Sequence, residues 1–399
     1  MKSLVLLRRC LVLVPLLFYS VVIIQLPDTR AYAEGGTYAT DENGTIAAAE
    51  TTASIFPPYN VASGNQIGIG VHVAGNHLLN QNNQIIQLRG VNRSGTEYMC
   101  TGDNGIFDGP NDPASIDAML SWRINVVRVP LNEDCWLGIN GLPSAGYSAM
   151  TYRQAISSYV NLLNAKKLLV ILDLHWNAPG TLQSKGQQIM PDMDHAPAFW
   201  NSVANTFKNN AAVIFDLYNE PHPINWTCWN VGSAAPSKYP CSDVNFQVAG
   251  MQTLLNVVRA AGAGNTVMVG GLSWANDLSN WLAHRPYDPY NNTMAAFHLY
   301  NFNACIDEVC WNKNLVPILA HNPITIGELG ENDCQSTFVV PAMQWLDQHN
   351  AGYLGWSWNT NDCKGFPSLV SDYNGTPTPF GLGFKNHFIS VANSGHAVN

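Results

Sequence analysis

The sequence predicts an α/β fold, a (β/α)8 TIM barrel that forms a single domain, and three observations favour it. Eight short apolar runs have the length and composition of strands, and helical patterns separate several of them. No G-x-G-x-x-G turn follows an early strand, as an open doubly wound sheet with a dinucleotide site would show. The chain has 399 residues, 46% of them hydrophobic, enough for the large core of such a barrel.

The predicted elements follow one another in an alternating order. The strands are 87–91, 126–129, 168–172, 213–217, 267–270, 296–298, 324–327 and 353–356. The helices are 115–122, 152–166, 197–208, 245–261 and 341–349. Before them, residues 70–73 and 85–88 flank Asn80-Gln81-Asn82-Asn83 as a predicted hairpin.

The N-terminal segment is typical of an export signal. Basic residues precede an apolar run from Leu11 to Leu26, and Ala31-Tyr32-Ala33 offers a small-x-small cleavage site, which predicts a signal peptide over 1–33. A membrane anchor is the alternative, because the run is only slightly short for a span. We expect a secreted, extracellular protein with no membrane association after signal removal.

The next segment, 34–66, is rich in Ala, Thr, Gly, Asn and Ser and predicts a flexible, low-complexity linker. The folded domain is then expected over 67–395. Only 12% of all residues are charged and the net charge is −9, so no basic stripe is present to bind nucleic acid. Twelve Trp and 15 Tyr suit stacking on neutral, ring-shaped ligands, although many of them will lie in the core.

Eight cysteines follow the signal, and they allow 105 disulfide pairings. No two show the C-x₂-C spacing of zinc ligands, and export favours disulfides. Pairing between neighbouring loops is expected, although sequence alone cannot choose. The expected pairs are Cys100 with Cys135, Cys228 with Cys241, Cys305 with Cys310, and Cys334 with Cys363.

Polar and aromatic residues crowd the ends of the predicted strands. In a barrel, the carboxyl ends of the strands carry the active site, whereas a purely structural role for each residue would scatter them over both ends. The set comprises Arg128, Asp173, His175, Asn219, Glu220, His298, Tyr300, Glu328 and Trp356.

Two glutamates stand out within this set. Glu220 and Glu328 lie 328 − 220 = 108 residues apart, and each ends a short apolar run. Carboxylates at the ends of two barrel strands can converge on one cleft, which is what the cleavage of a glycosidic bond requires.

These motifs give the chain a resemblance to glycoside hydrolase family 5, the cellulase and mannanase family of retaining β-glycosidases in clan A. The resemblance runs from about Leu88 to Asn359 and rests on Asn219-Glu220-Pro221, on Glu328, and on Arg128, His175 and His298-x-Tyr300. It implies that Glu220 is the general acid/base and Glu328 the nucleophile of a double displacement. Retention needs the two carboxyl groups about 5 to 5.5 Å apart.

The resemblance also implies supporting roles. Arg128 and Tyr300 would hydrogen-bond and orient Glu328, and Asn219 would hold the sugar 2-hydroxyl. His175 and His298 would bind substrate hydroxyls or the acid/base. Trp356 would form a stacking platform, with Trp358 as a second candidate.

The activity expected from this resemblance is that of an endo-β-1,4-glucanase acting on β-glycan polysaccharide or oligosaccharide, with a β-mannanase as the alternative. A further alternative is a non-catalytic carbohydrate-binding barrel. A metal-dependent barrel hydrolase would need clustered His and Asp ligands, and His175 and His298 alone are too few. We therefore expect no metal. A monomer without a cofactor is also expected. Glu97 and Glu133 could bind sugar hydroxyls or be solvated loop carboxylates.

Overall fold

The computed structural model describes residues 69–394, except 103, 145 and 235. The predicted signal peptide and the predicted linker lie outside this range. Within it, no helix is both long and apolar enough to cross a lipid bilayer.

The described residues alternate between strands and helices. The strands are β1 Val71–Ala74, β2 His77–Asn80, β3 Arg89–Asn92, β4 Val126–Asn132, β5 Leu169–Trp176, β6 Val213–Asp216, β7 Val267–Gly270, β8 Thr293–Tyr300, β9 Ile324–Gly330 and β10 Gly352–Gly355. The helices are α1 Pro113–Leu120, α2 Glu133–Leu137, α3 Ala149–Ala165, α4 Ala196–Phe207, α5 Trp226–Val231, α6 Met251–Ala260, α7 Leu272–Ala275, α8 Trp281–His284, α9 Glu308–Asn314, α10 Val316–Leu319, α11 Val339–Gln348 and α12 Pro379–Asn393.

Strands β3 to β10 form a closed parallel barrel in chain order, with β10 paired to both β3 and β9. The predicted (β/α)8 barrel is thus confirmed, and its eight strands correspond to the eight predicted runs. Their residues are buried almost throughout, because barrel interior side chains face inward and the others pack under the helices. The parallel arrangement brings all eight carboxyl ends to one face.

The longest outer helix, α3, shows how sequence determines this layer. Its N-cap Ser148 accepts a hydrogen bond from the Thr151 amide, which satisfies one free donor of the first turn. Tyr152, Ile156 and Tyr159 follow at helical spacing and are buried against the barrel. The polar residues between them face outward, so the amphipathic pattern sets the orientation of the helix.

The N-terminal hairpin closes the opposite end of the barrel, but its predicted partner strand was wrong. Val71–Ala74 pairs with His77–Asn80 across a turn at Gly75, whose φ of 62° suits glycine. The predicted second strand contributes only an isolated bridge from Ile85 to Leu79. The hairpin is joined to the barrel because the Val71 amide donates to the Ala211 carbonyl at 3.1 Å.

The predicted helices also need correction. Helix α6 begins at Met251 rather than Asn245, because Val248 and Ala249 form bridges with Asp192 and Gly232. The C-terminal helix α12 was not predicted. The other four helices agree within about three residues at each end.

The four expected disulfides are all present. The structure joins Cys100 to Cys135, Cys228 to Cys241, Cys305 to Cys310, and Cys334 to Cys363. Their cysteines lie in segments that follow the carboxyl ends of barrel strands. The bridges therefore fix the loops around the cleft rather than the barrel wall.

Candidate active site

The predicted site residues all meet at the carboxyl face of the barrel. Asp173 and His175 share the inner side of β5 because they are two residues apart in a strand. The others are placed by neighbouring strands: Arg128 on β4, Asn219 and Glu220 after β6, His298 and Tyr300 on β8, Glu328 on β9 and Trp356 after β10.

Arg128 lies at the centre of the site and is fully buried. Its guanidinium contacts three carboxylates: Glu328 at 2.9 Å, Asp173 at 3.1 Å and Asp216 at 3.2 Å. It also donates to the side-chain oxygens of Asn92 at 3.0 Å and Asn219 at 2.8 Å. Burial alone would lower the pKa of Arg128, but the three carboxylates outweigh it and raise that pKa, so the cation is permanent.

Glu328 is held at both carboxylate oxygens. Oε1 accepts from Arg128, and Oε2 accepts from the Tyr300 hydroxyl at 2.6 Å. The Glu328 side chain is 5% exposed, so little water competes for these bonds. The two donors fix the direction in which the carboxylate faces the cleft.

Glu220 has a different environment. Its Oε1 lies 2.8 Å from His298 Nδ1, and the Nδ1 atom is 3.7 Å from Glu328 Oε2. One carboxylate oxygen of Glu220 and one of Glu328 lie within 4.8 Å of each other. Burial raises the pKa of Glu220, and the charge of His175 and a hydrogen bond from the Gln187 side chain offset only part of that rise.

The two histidines differ in protonation state at neutral pH. Burial would lower the pKa of His175, but its bond to Asp173 at 2.8 Å contributes to raising it to about 9. Burial lowers the pKa of His298 to about 4, with Arg128 adding to the effect. The protonated His175 thus adds positive charge to the site, while the neutral His298 can share a proton with Glu220.

The site opens into a cleft of about 980 Å³ with aromatic side chains along it. Trp356 is stacked on His175, with ring centroids 5.5 Å apart and planes at 7°. Trp274 is 50% exposed and stacked on His222 at 4.7 Å, in a turn where three successive non-glycine residues have positive φ. Such strained turns are sustained where they serve a purpose, and this one presents Trp274 to the cleft.

Several aromatic residues do not belong to the cleft. Trp358 was predicted as a second platform, but it is 1% exposed and packs edge-on against Trp122 in the core. Trp226 and Trp229 lie in the long segment after β6 and pack against each other away from the cleft lining. Pattern alone cannot distinguish a platform from a core tryptophan.

Some contributors to the site were not predicted, among them Asp216, Gln187 and Trp274. Asp216 is a charged residue ending an apolar strand, and that position was the available signal. Gln187 reaches Glu220 from a loop, donating to its backbone carbonyl at 2.9 Å. Trp274 depends on an unusual turn. Neither loop residue has a local sequence signal.

A closed barrel with a pair of facing carboxylates at its carboxyl face is the arrangement that glycoside hydrolases use. Residues 79–362 match the family model described as Cellulase (glycosyl hydrolase family 5), which spans most of the chain. The chain belongs to glycosyl hydrolase family 5.

Among its relatives, Endoglucanase CelA of Streptomyces lividans is 27% identical over 310 residues, covering 73% of this chain and 56% of that protein. A mannan endo-1,4-beta-mannosidase of the same organism is 23% identical over 303 residues, covering 73% and 67%. The chain thus spans between about half and two thirds of these relatives' lengths.

Solved structures support the same fold. The beta-glucanase SdGluc5_26A of Saccharophagus degradans is similar with a TM-score of 0.63 at 17% identity, covering 84% of this chain and 97% of that one. A second structure of that protein, in complex with cellotetraose, matches equally well.

Proposed function

We propose that this chain is a secreted, retaining β-glycanase, and specifically an endo-β-1,4-glucanase, with Glu220 as acid/base and Glu328 as nucleophile. The observation that carries the proposal is the approach of the two carboxylates within 4.8 Å, with Glu328 held by Arg128 and Tyr300. This separation suits direct attack on the sugar and leaves no room for the intervening water of an inverting enzyme.

The reaction has two steps. In the first, a Glu328 oxygen forms a bond to the anomeric carbon while the glycosidic C–O bond breaks and Glu220 gives its proton to the leaving oxygen. In the second, Glu220 takes a proton from water, the resulting hydroxide displaces Glu328, and the sugar leaves with its original anomeric configuration.

The supporting residues adjust charge and position. Arg128 and Tyr300 direct Glu328 towards the anomeric carbon, and His298 contacts Glu220 where the proton is exchanged. Asn219 lines the cleft beside them, where it can bind the 2-hydroxyl. His175 holds Trp356 as a stacking surface for a sugar ring.

The shape of the cleft supports action on a chain of several sugars. Trp274, Phe302 and Phe366 are exposed along the cleft and offer flat apolar surfaces to pyranose rings. The endoglucanase relatives and the cellotetraose-bound neighbour favour a β-1,4-glucan. The mannosidase relative favours β-mannan as the second candidate.

Domain limits and location are part of the proposal. We assign 1–33 to a signal peptide, 34–66 to a linker and 67–395 to the catalytic domain, acting as a secreted monomer. Four disulfides support an oxidising, extracellular setting.

The test is a substrate panel combined with product stereochemistry. Purified protein should release reducing ends fastest from soluble cellulose derivatives and lower their viscosity early, as internal cleavage does. Proton NMR of the first products should show the β-anomer. Faster hydrolysis of β-mannan would select the second candidate, and initial α-anomer would refute the double displacement.

A further inference from the structure

Outside the catalytic cleft, a second group of ionisable side chains meets between two loops of the same face. Glu133 begins α2, Asp192 lies in the loop after β5, and His195 immediately precedes α4. One ligand atom from each lies within 4.8 Å of the other two. This group is designated the rim cluster.

The rim cluster concentrates negative charge in a buried place. Glu133 and Asp192 have no exposed surface, and the His195 side chain is 18% exposed. The ion pairs of residues 69–394 give neither carboxylate an arginine or lysine partner; only His195 approaches Asp192, at 3.8 Å. Buried carboxylates require a compensating positive charge or a proton.

Two atoms of the rim cluster have no hydrogen-bond partner: Glu133 Oε2 and His195 Nδ1, both buried. The other carboxylate atoms are oriented by donors. Asn177 donates to Asp192 Oδ2 at 2.7 Å and the His195 amide to Asp192 Oδ1 at 2.8 Å. The Ala178 amide donates to Glu133 Oε1 at 3.3 Å. Fixed carboxylates beside free lone pairs are characteristic of a prepared ligand set.

We propose that Glu133, Asp192 and His195 bind one divalent cation of the Mn²⁺ or Zn²⁺ type. Two carboxylates and an imidazole suit these ions, whereas Ca²⁺ prefers six to eight oxygen ligands. His195 is the member of the rim cluster that reaches the surface, since 18% of its side chain is exposed.

Such an ion would stabilise the loop that supports the acid/base. Asn177, at the start of this loop, binds Asp192 near its end, so the cluster ties both ends together. Between them, Gln188 accepts a bond from the Tyr218 hydroxyl, and Gln187 contacts Glu220. The ion is thus a structural clamp, separate from the atoms that react.

The competing occupant is a proton. Burial, reinforced by the neighbouring charge of Asp192, raises the pKa of Glu133, so a neutral Glu133 carboxyl could donate to Asp192. The two occupants predict opposite effects of Glu133→Gln. A glutamine amide can replace the shared proton but removes a charged metal ligand.

The experiment uses the full secreted protein without a histidine tag, stripped with EDTA. Equilibrium dialysis against Mn²⁺, with free ion counted by electron paramagnetic resonance, and parallel dialysis against Zn²⁺ should show one ion per chain. Ca²⁺ should bind at least tenfold more weakly. Saturating Mn²⁺ should raise the Tm by a few degrees.

Glu133→Gln should weaken Mn²⁺ binding more than tenfold and abolish the Tm shift. His195→Ala provides a second variant at a partly exposed position whose side chain makes no helix-capping bond. Glu97→Gln is the matched control: Glu97 is also buried, at 3% exposed, in the adjacent loop but lies outside the rim cluster, so this variant should keep full binding.

Three results would overturn the proposal. The first is no ion bound to the wild type, with Glu133→Gln as stable as the wild type, which assigns a shared proton. The second is unchanged binding in both cluster variants. The third is binding lost only in Glu220→Gln, which places the ion at the catalytic carboxylates.

Discussion

The two glutamates of the cleft are the same amino acid in two different settings. Glu328 lies within strand β9; both of its carboxylate oxygens accept hydrogen bonds, and 5% of its side chain is exposed. Glu220 follows the end of β6, contacts one imidazole, and is 15% exposed. One is rigid and paired with a permanent cation; the other is bordered by a neutral His298.

This difference matches the two roles proposed for Glu220 and Glu328. A nucleophile must remain charged and aligned with the anomeric carbon, and the Arg128 and Tyr300 donors meet that need. An acid/base must hold a proton and release it, and burial raises the pKa of Glu220 towards that purpose. Position on strand or loop, rather than residue type, therefore distinguishes the two proposed roles.

The largest effect should come from removing the rigid carboxylate. We expect Glu328→Ala to reduce kcat to about 10⁻⁴ of wild type or less, because no group then forms the covalent intermediate. Circular dichroism and Tm should show a folded protein. Added azide should restore turnover and give a glycosyl azide of inverted configuration; a product of retained configuration would exchange the two assignments.

The next effect should depend on the leaving group. Glu220→Gln removes the proton donor, so hydrolysis of a polysaccharide should fall about 10²- to 10⁴-fold. Formation of the intermediate from an aryl glycoside with an acidic phenol leaving group should fall much less, because that group needs no proton. Pre-steady-state release of the phenol measures this step, and equal losses for both substrates would contradict the acid role.

The site residues that lie on barrel strands could be predicted from the sequence. Arg128, His175, His298, Tyr300 and Glu328 all follow or end apolar runs, and a parallel barrel brings such positions to one face whatever the loops do. The barrel itself was predictable for the same reason. Neighbouring loops also predicted the disulfides correctly.

The loop-borne part could not be predicted in the same way. Gln187 reaches Glu220 through the conformation of a long loop. Trp274 reaches the cleft through a turn of residues with positive φ. Neither has a local periodicity. The buried state of Glu133 was likewise missed, because sequence cannot show whether a loop carboxylate folds back beneath its neighbours.

A smaller effect should follow from removing one hydrogen bond to Glu328 while keeping its carboxylate. Tyr300→Phe deletes one donor to Glu328 and leaves Arg128 in place, so kcat should fall about 10- to 100-fold with little change in KM. Tyr353→Phe is a matched control, since its hydroxyl bonds Asp347 at 3.0 Å, away from the cleft. If both variants lost activity equally, the Tyr300 bond would be only structural.

The smallest and most specific effect concerns the pKa of Glu220. The hydrogen bond from Gln187 lowers the pKa of Glu220, opposing the rise caused by burial. Gln187→Leu removes that bond, together with the bond to the Glu220 backbone carbonyl, so the pKa of Glu220 should rise further. Because the acid acts while protonated, kcat/KM falls as pH increases through this pKa. The alkaline limb of the pH profile of kcat/KM should therefore move to higher pH by up to about one unit.

Gln183→Leu, in the same loop, removes only a bond to the Asn140 carbonyl and should leave the limb unchanged. A limb that moved to lower pH in Gln187→Leu, or moved equally in both variants, would show that Glu220 is not the group titrating there.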